Sequence, residues 1–290
     1  MKKNIILVVN PVAGGIDKSE IIEAASLFAD KEGLNLALYV TTGIDDIAKI
    51  KVLYDALKPE RVIVAGGDGT IKSVAESLQN TDVVFGIIPA GSANGLATDL
   101  NIPKELGESL PIAFQSASAE MDMIVINGRT SIHLSDLGLN AELIKNYANS
   151  EIHGKWGYAL QVFNTLVGIE EPFTATITAN GQTVERVAEM IVIANSKKYG
   201  TGVIINPSGI MNDGKFELVV LKNIDLTIFA KIITGNIPLE SGDVEIISTD
   251  RANIKLHSPV SFQIDGEYCG RETELNVAIS PHKLKVAIPI

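Results

Sequence analysis

Gly66-Gly67-Asp68-Gly69-Thr70 is the stretch of this chain whose residue types and spacing best suit chemistry. It stands between an apolar run, Val62 to Ala65, and a helical pattern in which Ile71, Val74, Ala75 and Leu78 recur at i, i+3, i+4 and i+7. The loop therefore occupies the turn at the carboxyl end of a buried strand, just before a helix N-terminus, where open α/β sheets bind ligands. Backbone N–H groups at such a turn can point at a phosphate, and glycines let it approach with no Cβ in the way. A carboxylate there would repel a phosphate, so Asp68 makes chemical sense if a divalent cation lies between the two, directly or through water. The loop then implies magnesium as well as nucleotide. A plain glycine turn with Asp68 as helix N-cap accounts for the same residues, and on this loop alone the two readings stand level. Asp17-Lys18-Ser19 imitates the end of a P-loop but lacks the glycine before its lysine. No GxGxxG opens a helix after the first strand, which disfavours a dehydrogenase.

The elements that must position this loop alternate along the first part of the chain. Strands are expected at Ile5 to Val9, Leu36 to Val40, Val62 to Ala65 and Val83 to Ile88, and helices at Ser19 to Lys31, Asp45 to Leu57 and Ile71 to Leu78. Apolar strands alternating with helices specify a parallel sheet covered on both faces. Near Gly128 the texture changes. Asn127-Gly128 and Asn180-Gly181 are tight-turn dipeptides flanked by β-rich segments such as FTATITA and EMIVIAN, interrupted by one helical stretch, Ala141 to Val167. From Asp243 onward VEIIS, ANIKLH, VSFQID, ELNVAIS and KLKVAIPI read as short strands separated by turn residues. The expected architecture is an N-terminal parallel-sheet α/β nucleotide-binding domain over residues 1–127 and a C-terminal β-sandwich domain over 128–290, whose last strand is free to return to the first domain.

Composition bounds the function classes. With 290 residues, 46% of them hydrophobic, the chain can bury a substantial core, and a formal net charge of -11 argues against a broad grip on nucleic acid or an anionic membrane. Cys269 is the only cysteine and there is no glycosylation sequon, so a cytoplasmic location is the default expectation. The opening MKKNIILVVNP reads as a first buried strand ending at Asn10-Pro11 rather than a signal peptide. No apolar run approaches the roughly 20 residues of a membrane span, so contact with lipid would be peripheral.

Two further glycine turns join the first. VVNPVAGG (Val8 to Gly15) follows the first strand and IIPAGSANGLA (Ile87 to Ala97) the fourth, and all three should lie on one carboxyl edge of the sheet. Together they resemble the diacylglycerol kinase catalytic domain of bacterial lipid kinases and of sphingosine and ceramide kinases. NSKKYGTGVIINPSGIMNDGKFELVVL (Asn195 to Leu221) is similar to the family segment ending in a DDG-type turn, and FQIDGE (Phe262 to Glu267) to its catalytic DGE.

The resemblance implies an ATP- and Mg2+-dependent kinase acting on the hydroxyl of a lipid alcohol, diacylglycerol first among them, with the active site in a cleft between the two domains. It implies ATP contacts at Asn10, Pro11, Val12, Ala13 and Gly14, at Thr41, at Gly66, Gly67, Asp68, Gly69, Thr70, Ile71 and Lys72, and at Ser92. Glu267 takes the part of the base that accepts the lipid hydroxyl proton, and Asp68 that of arranging the catalytic magnesium. Asp213, with the carbonyls of Ile210 and Lys215, takes the part of a second, structural or regulatory, magnesium site. Read alone, Glu267 follows an ordinary turn dipeptide, Asp265-Gly266, and Asn212-Asp213-Gly214 is a plain hairpin turn; only the joint occurrence makes Glu267 and Asp213 functional expectations.

The chain departs from the family at two places. Gly95 stands where the family carries an acidic residue, with Asp99 one helical turn further on, and Gly15 stands where many relatives have lysine. His133, His153, His257 and His282 show no metal spacing, Lys197 and Lys198 read as a solvated pair that could steady a phosphate, and Trp156 reads as packing. Two rivals follow: an NAD kinase, which shares GGDGT, and a nucleotide- or lipid-binding regulator that has lost catalysis, motivated by Gly95. The lipid substrate would be met at the membrane surface, and a homodimer is left open.

Overall fold

The structure, a computed structural model, describes residues 2–15, 17–138, 141, 171–198, 204–224 and 242–289. The helical stretch expected over Ala141 to Val167 lies outside the described residues except for Ala141, as do His153 and Trp156. The chain forms two compact units, one built from the chain up to Asp122 together with the stretch from Pro281 onward, the other from the described residues between Met123 and Ser280.

The first unit alternates strand and helix. Its elements are β1 (Asn4–Val9), α1 (Ser19–Lys31), β2 (Asn35–Val40), α2 (Asp46–Leu57), β3 (Arg61–Gly66), α3 (Asp68–Ser77), β4 (Val84–Pro89), α4 (Gly95–Asp99), α5 (Leu106–Gln115) and the start of β5 (Ser118–Ile126). β4, β3, β1 and β2 lie side by side in that order, all parallel, with Val9 opposite both Val40 and Ala65, and Ala65 opposite Ile88. Every residue from Ile5 to Val9 is buried, as a strand covered on both faces must be, each such side chain contributing about 1.5–3 kcal/mol. On one face Ile21, Ala25 and Ala29 of α1 and Leu110, Ala113 and Phe114 of α5 close over Ile5, Leu7, Ile63 and Ile88. α5 was not anticipated in the sequence, because Pro111 inside it breaks the helical reading. α3 begins at Asp68, a full turn before the Ile71 expected from periodicity, because its first turn is polar and glycine-bearing.

The second unit contains the remainder of β5, then β6 (Arg129–Ser131), β7 (Leu134–Gly138), β8 (Phe173–Ala179), β9 (Gln182–Ala188), β10 (Met190–Ala194), β11 (Phe216–Leu221), β12 (Val244–Thr249), β13 (Arg251–Ile264) and β14 (Glu267–Ala287), which also supplies the first unit's stretch after Pro281. ANIKLH and VSFQID, expected as separate strands, are the one strand β13, and ELNVAIS and KLKVAIPI are the one strand β14. β13 stays continuous because its Ser258-Pro259 falls in an irregularity between Lys255 and Val260, where the ladder to β14 shifts register and a missing N–H is tolerated. Before it, Ala252 to Leu256 pair with β8; after it, Phe262 to Ile264 pair with β7. A strand bent between two partners in this way lets two strand layers share one core, here Ile177, Ile191, Leu218, Ile254, Phe262 and Leu275.

The edge of this unit carries a bidentate ion pair. Arg186 donates to both carboxylate oxygens of Glu245 at 2.7 and 2.9 Å, and the Lys222 ammonium stands 3.1 Å away. Arg186 above all, then Lys222, hold the Glu245 carboxyl down at about 2, against its ordinary 4.5. Because the folded value is depressed, this stabilisation is complete above about pH 4.5 and vanishes as pH falls towards 2. Arg186→Ala should therefore cost about 1 kcal/mol at neutral pH and almost nothing near pH 2, read as the separation of urea midpoints at the two pH values.

Candidate functional site

The parallel register brings the turns after β1, β2, β3 and β4 to one edge of the first unit, the carboxyl edge. The turn after β1 is held against β3: the Asn10 backbone N–H donates to Ala65 O, and its Nδ2 donates to the Thr70 hydroxyl at 3.0 Å. Asn10 Oδ1 accepts the Val12 N–H, and the buried Lys18 ammonium donates to Ala13 O at 2.6 Å. Burial pulls the Lys18 ammonium below its ordinary value. After β2, Thr41 N–H donates to Val9 O, and the Asp46 carboxylate collects the N–H groups of Thr42 and Gly43 and the Tyr39 hydroxyl. Burial and this bond together push the Tyr39 phenol up to about 12.

The glycines of the three turns serve first to let backbones touch. A Cβ on Gly91 would lie 2.4 Å from the Gly67 Cα, and a Cβ on Gly14, whose φ is +62°, would lie 2.7 Å from Ala90 O. The first, third and fourth turns are thus packed backbone to backbone, a closer reason for glycine than access for a phosphate. Gly91→Ala should accordingly force the third and fourth turns apart and destabilise the protein by about 1–3 kcal/mol, with a matching loss of any stabilisation by ATP, both read in thermal unfolding with and without nucleotide.

Asp68 does not cap its own helix. Gly67 is the N-cap of α3, and the Asp68 carboxylate crosses to α4, accepting the Gly95 N–H at 2.8 Å and the Leu96 N–H at 2.9 Å. Asn94, the N-cap of α4, holds a left-handed conformation and turns its side chain back on Gly91, accepting that residue's N–H and donating to its carbonyl. The work of capping α4 therefore falls to a charged residue from another turn, and charge-assisted bonds of this kind are the stronger ones. Each Asp68 oxygen keeps a further lone pair, so the carboxylate fits a hard, oxygen-seeking cation without giving up the cap.

The other expected nucleotide positions divide by exposure. Pro11, Val12, Gly14 and Ser92 are exposed and Ala13 and Thr41 half-buried, all in the edge turns. Gly66 closes β3 and is buried, Gly69 lies in the first turn of α3, and Thr70 and Lys72 are buried on that helix. The Ile71 side chain is 1% exposed in the core, so only its backbone could meet a ligand. Asp99 is the last residue of α4, which starts at Gly95 itself.

In the second unit, Glu267 is the first residue of β14 and exposed, following the two-residue turn Asp265-Gly266. Both turn residues have positive φ, 50° and 87°, the conformation that two-residue hairpins favour. Asp213 sits in an exposed turn with its carboxylate accepting the Lys215 N–H at 3.0 Å, and Ile210 is half-exposed beside it in sequence. Among the described residues no three His, Cys, Asp or Glu side chains gather to hold a metal; the set expected here is one carboxylate and two carbonyls, a different kind of donor group. His133 is buried, His282 exposed, and His257 stands 3.5 Å from Glu185, none as part of a metal cluster. Lys197 is exposed just beyond the end of β10, and its carbonyl accepts from Ile205 and Asn206. Asp46, Gly91 and Asn94 were not singled out in the sequence, and Asp265 was read only as a turn residue, because an acceptor, a glycine or a turn residue carries no sign of a partner far along the chain.

Residues 4–126 match the diacylglycerol kinase catalytic domain, and residues 137–288 match the YegS C-terminal NAD kinase beta sandwich-like domain, the latter over more than half of the chain. The "probable lipid kinase YegS" of Salmonella arizonae is 26% identical over 281 residues, 94% of this chain and 92% of that protein. The "probable lipid kinase YegS-like" protein of Pectobacterium atrosepticum is 29% identical over 280 residues, 92% and 91% of the two chains. Among solved structures, a diacylglycerol kinase from Bacillus anthracis str. Sterne aligns with a TM-score of 0.78 at 21% identity, covering 99% of this chain and 97% of that one. An NAD kinase from Archaeoglobus fulgidus in complex with ATP aligns with a TM-score of 0.55 at 11% identity, covering 98% and 93%. At these identities the structural likenesses speak to the fold, and the NAD kinase is the more distant of the two.

Proposed function

We propose that this chain, which belongs to the lipid kinase family joining a diacylglycerol kinase catalytic domain to a YegS-type C-terminal domain, transfers the γ-phosphate of ATP to the hydroxyl of a lipid alcohol, with diacylglycerol as the leading acceptor. The observation that carries the reading is the convergence of the Asn10, Gly66 and Gly91 turns on one sheet edge, with the Asp68 carboxylate in their midst. Backbone N–H groups of Gly14 and of the first turn of α3 would hold the phosphates, with Asn10 to Ala13 shaping the turn around them, and Thr41 and Ser92 would flank the nucleotide. Asp68 would orient magnesium while keeping α4 in place. Magnesium, when bound, would neutralise charge on the phosphates. Glu267 would accept the proton of the lipid hydroxyl as that oxygen forms its bond to the γ-phosphorus and the bond from γ-phosphorus to the bridging oxygen breaks, releasing ADP. Asp213 with the carbonyls of Ile210 and Lys215 would hold a second magnesium ion.

Purified protein with γ-labelled ATP and magnesium, offered diacylglycerol, other lipid alcohols and NAD in separate reactions, tests this directly. Label in a lipid establishes the kinase and ranks its acceptors. Label in NAD alone, or ATP binding with transfer to no acceptor offered, would replace the reading with one of its rivals. Among the described residues no helix is long and apolar enough to cross a membrane, so the lipid is expected to be met at a bilayer surface.

A further inference from the structure

The hairpin that presents Glu267 is fastened far more heavily than its turn requires. Among the described residues of the second unit, three two-residue hairpin turns have positive φ at both positions, at Asn127-Gly128, Asn180-Gly181 and Asp265-Gly266. The first two use neutral asparagine, which meets the left-handed requirement as well as aspartate does; Asn127 donates to Glu274 O and accepts the Asn276 N–H, and Asn180 donates to Ser248 O. The third uses a carboxylate, and that carboxylate accepts three hydrogen bonds: from the Ser131 hydroxyl, the Ile132 N–H and the His133 N–H, each at 3.0 Å. The Asp265 N–H in turn donates to Leu134 O, so the turn is tied to the whole segment from Ser131 to Leu134.

A second tie runs through the core. The Gly266 N–H donates to Gln263 Oε1 at 2.7 Å, and Gln263 Nε2 donates to Asp136 Oδ2 at 2.5 Å. Gln263 and Asp136 are 1% and 0% exposed, so both are fixed by packing as well as by these bonds. The Ser135 hydroxyl donates to the Ser131 hydroxyl and secures that donor. Directly after this fastened turn stands Glu267, an exposed carboxylate paired in the ladder with Ile264.

We infer that Asp265 and Gln263 are positioning residues that clamp the 265–266 turn and thereby fix where the Glu267 carboxylate stands. The inference rests on the reading of Glu267 as the proton acceptor. A base must stand within hydrogen-bond reach of the proton it takes, and a displacement of about 1 Å can lower a rate by about 10²-fold. A charged acceptor with three donors resists such displacement better than a turn held by backbone preference alone.

Asp265→Asn tests the clamp, because asparagine keeps the volume and the left-handed preference but turns an NH₂ group towards donors. It is measured in the 290-residue chain with labelled ATP, magnesium and diacylglycerol in mixed micelles. The expected result is a fall in kcat of about 10- to 100-fold with the KM for ATP unchanged, and little further loss when Asp265→Asn is added to Glu267→Gln. Ser131→Ala, which removes one donor of three, should show a smaller fall of about 3- to 10-fold and serves where Asp265→Asn does not fold. If Glu267→Gln abolishes turnover while both clamp variants retain the parent kcat, the base assignment stands and the clamp is overturned. An equal loss from Asp265→Asn in the presence and absence of Glu267 also overturns it. If Glu267→Gln leaves kcat unchanged, the base assignment itself falls, and the clamp's role in catalysis with it.

Discussion

Glu267→Gln should lower phosphoryl transfer to a lipid alcohol by about 10²- to 10⁴-fold, the range that a positioned general base supplies. The substitution preserves the size of the side chain and removes its charge and with it the ability to take a proton. Glu267 is exposed on the first residue of β14 and lies outside the core of its unit, so the fold should tolerate the change. ATP affinity, measured by titration calorimetry, should be unaltered, since the expected nucleotide positions all belong to the other unit. A variant that binds ATP and has lost turnover supports the assignment. Unchanged turnover would move the proton to another acceptor and leave the Asp265-Gly266 turn as a structural hairpin.

The second large effect is expected at Asp68, where two roles can be separated. Asp68→Ala removes both hydrogen bonds to the first N–H groups of α4 and should cost about 2 kcal/mol of stability, in line with the loss of charged caps. It should also abolish transfer, since an electrostatic group arranged around the phosphates commonly contributes about 10²- to 10³-fold. Asp68→Asn keeps one acceptor oxygen and should recover part of the stability. If the carboxylate arranges a cation, Asp68→Asn stays inactive despite that recovery, and magnesium no longer raises its unfolding temperature in the presence of ATP. Parental activity in Asp68→Asn would reduce Asp68 to a cap.

These two residues show how unevenly the candidate site was legible along the chain. The turn that carries Glu267 could be read from Asp265-Gly266, because two adjacent residues with positive φ leave a mark on local residue choice. What holds that turn, the donors of Ser131 to His133, lies more than a hundred residues upstream and leaves no mark near it. Asp68 was legible as an unusual carboxylate in a glycine turn. Its bonds to Gly95 and Leu96 exist only because β3 and β4 are neighbours in parallel register, Gly66 opposite Pro89. The glycines were read as room for a phosphate, and the structure shows them first as room for one another, Gly91 against Gly67 and Gly14 against Ala90.

The sequence by itself determined the elements with a strong period. Helix α1 falls on Ser19–Lys31 as its apolar spacing demands, and β1 to β4 fall within a residue of their apolar runs, because burial selects apolar side chains at 3.6-residue intervals in a helix and in unbroken runs in a strand covered on both faces. The single helix between each of these strands and the next also pointed to a parallel sheet, since one helix carries the chain back to the end from which a parallel neighbour starts. Tertiary structure alone decided that β13 and β14 run unbroken through residues that read as turns, because a strand's continuity depends on the partners on either side of it. It alone decided that Asp68 caps a helix 27 residues onward and that Asp265 is gripped by the segment before β7. The physical reason is common to both: periodicity and turn preference act between near neighbours in the chain, whereas a hydrogen bond needs only that two groups be brought within about 3 Å, and sheet register brings together groups far apart in sequence.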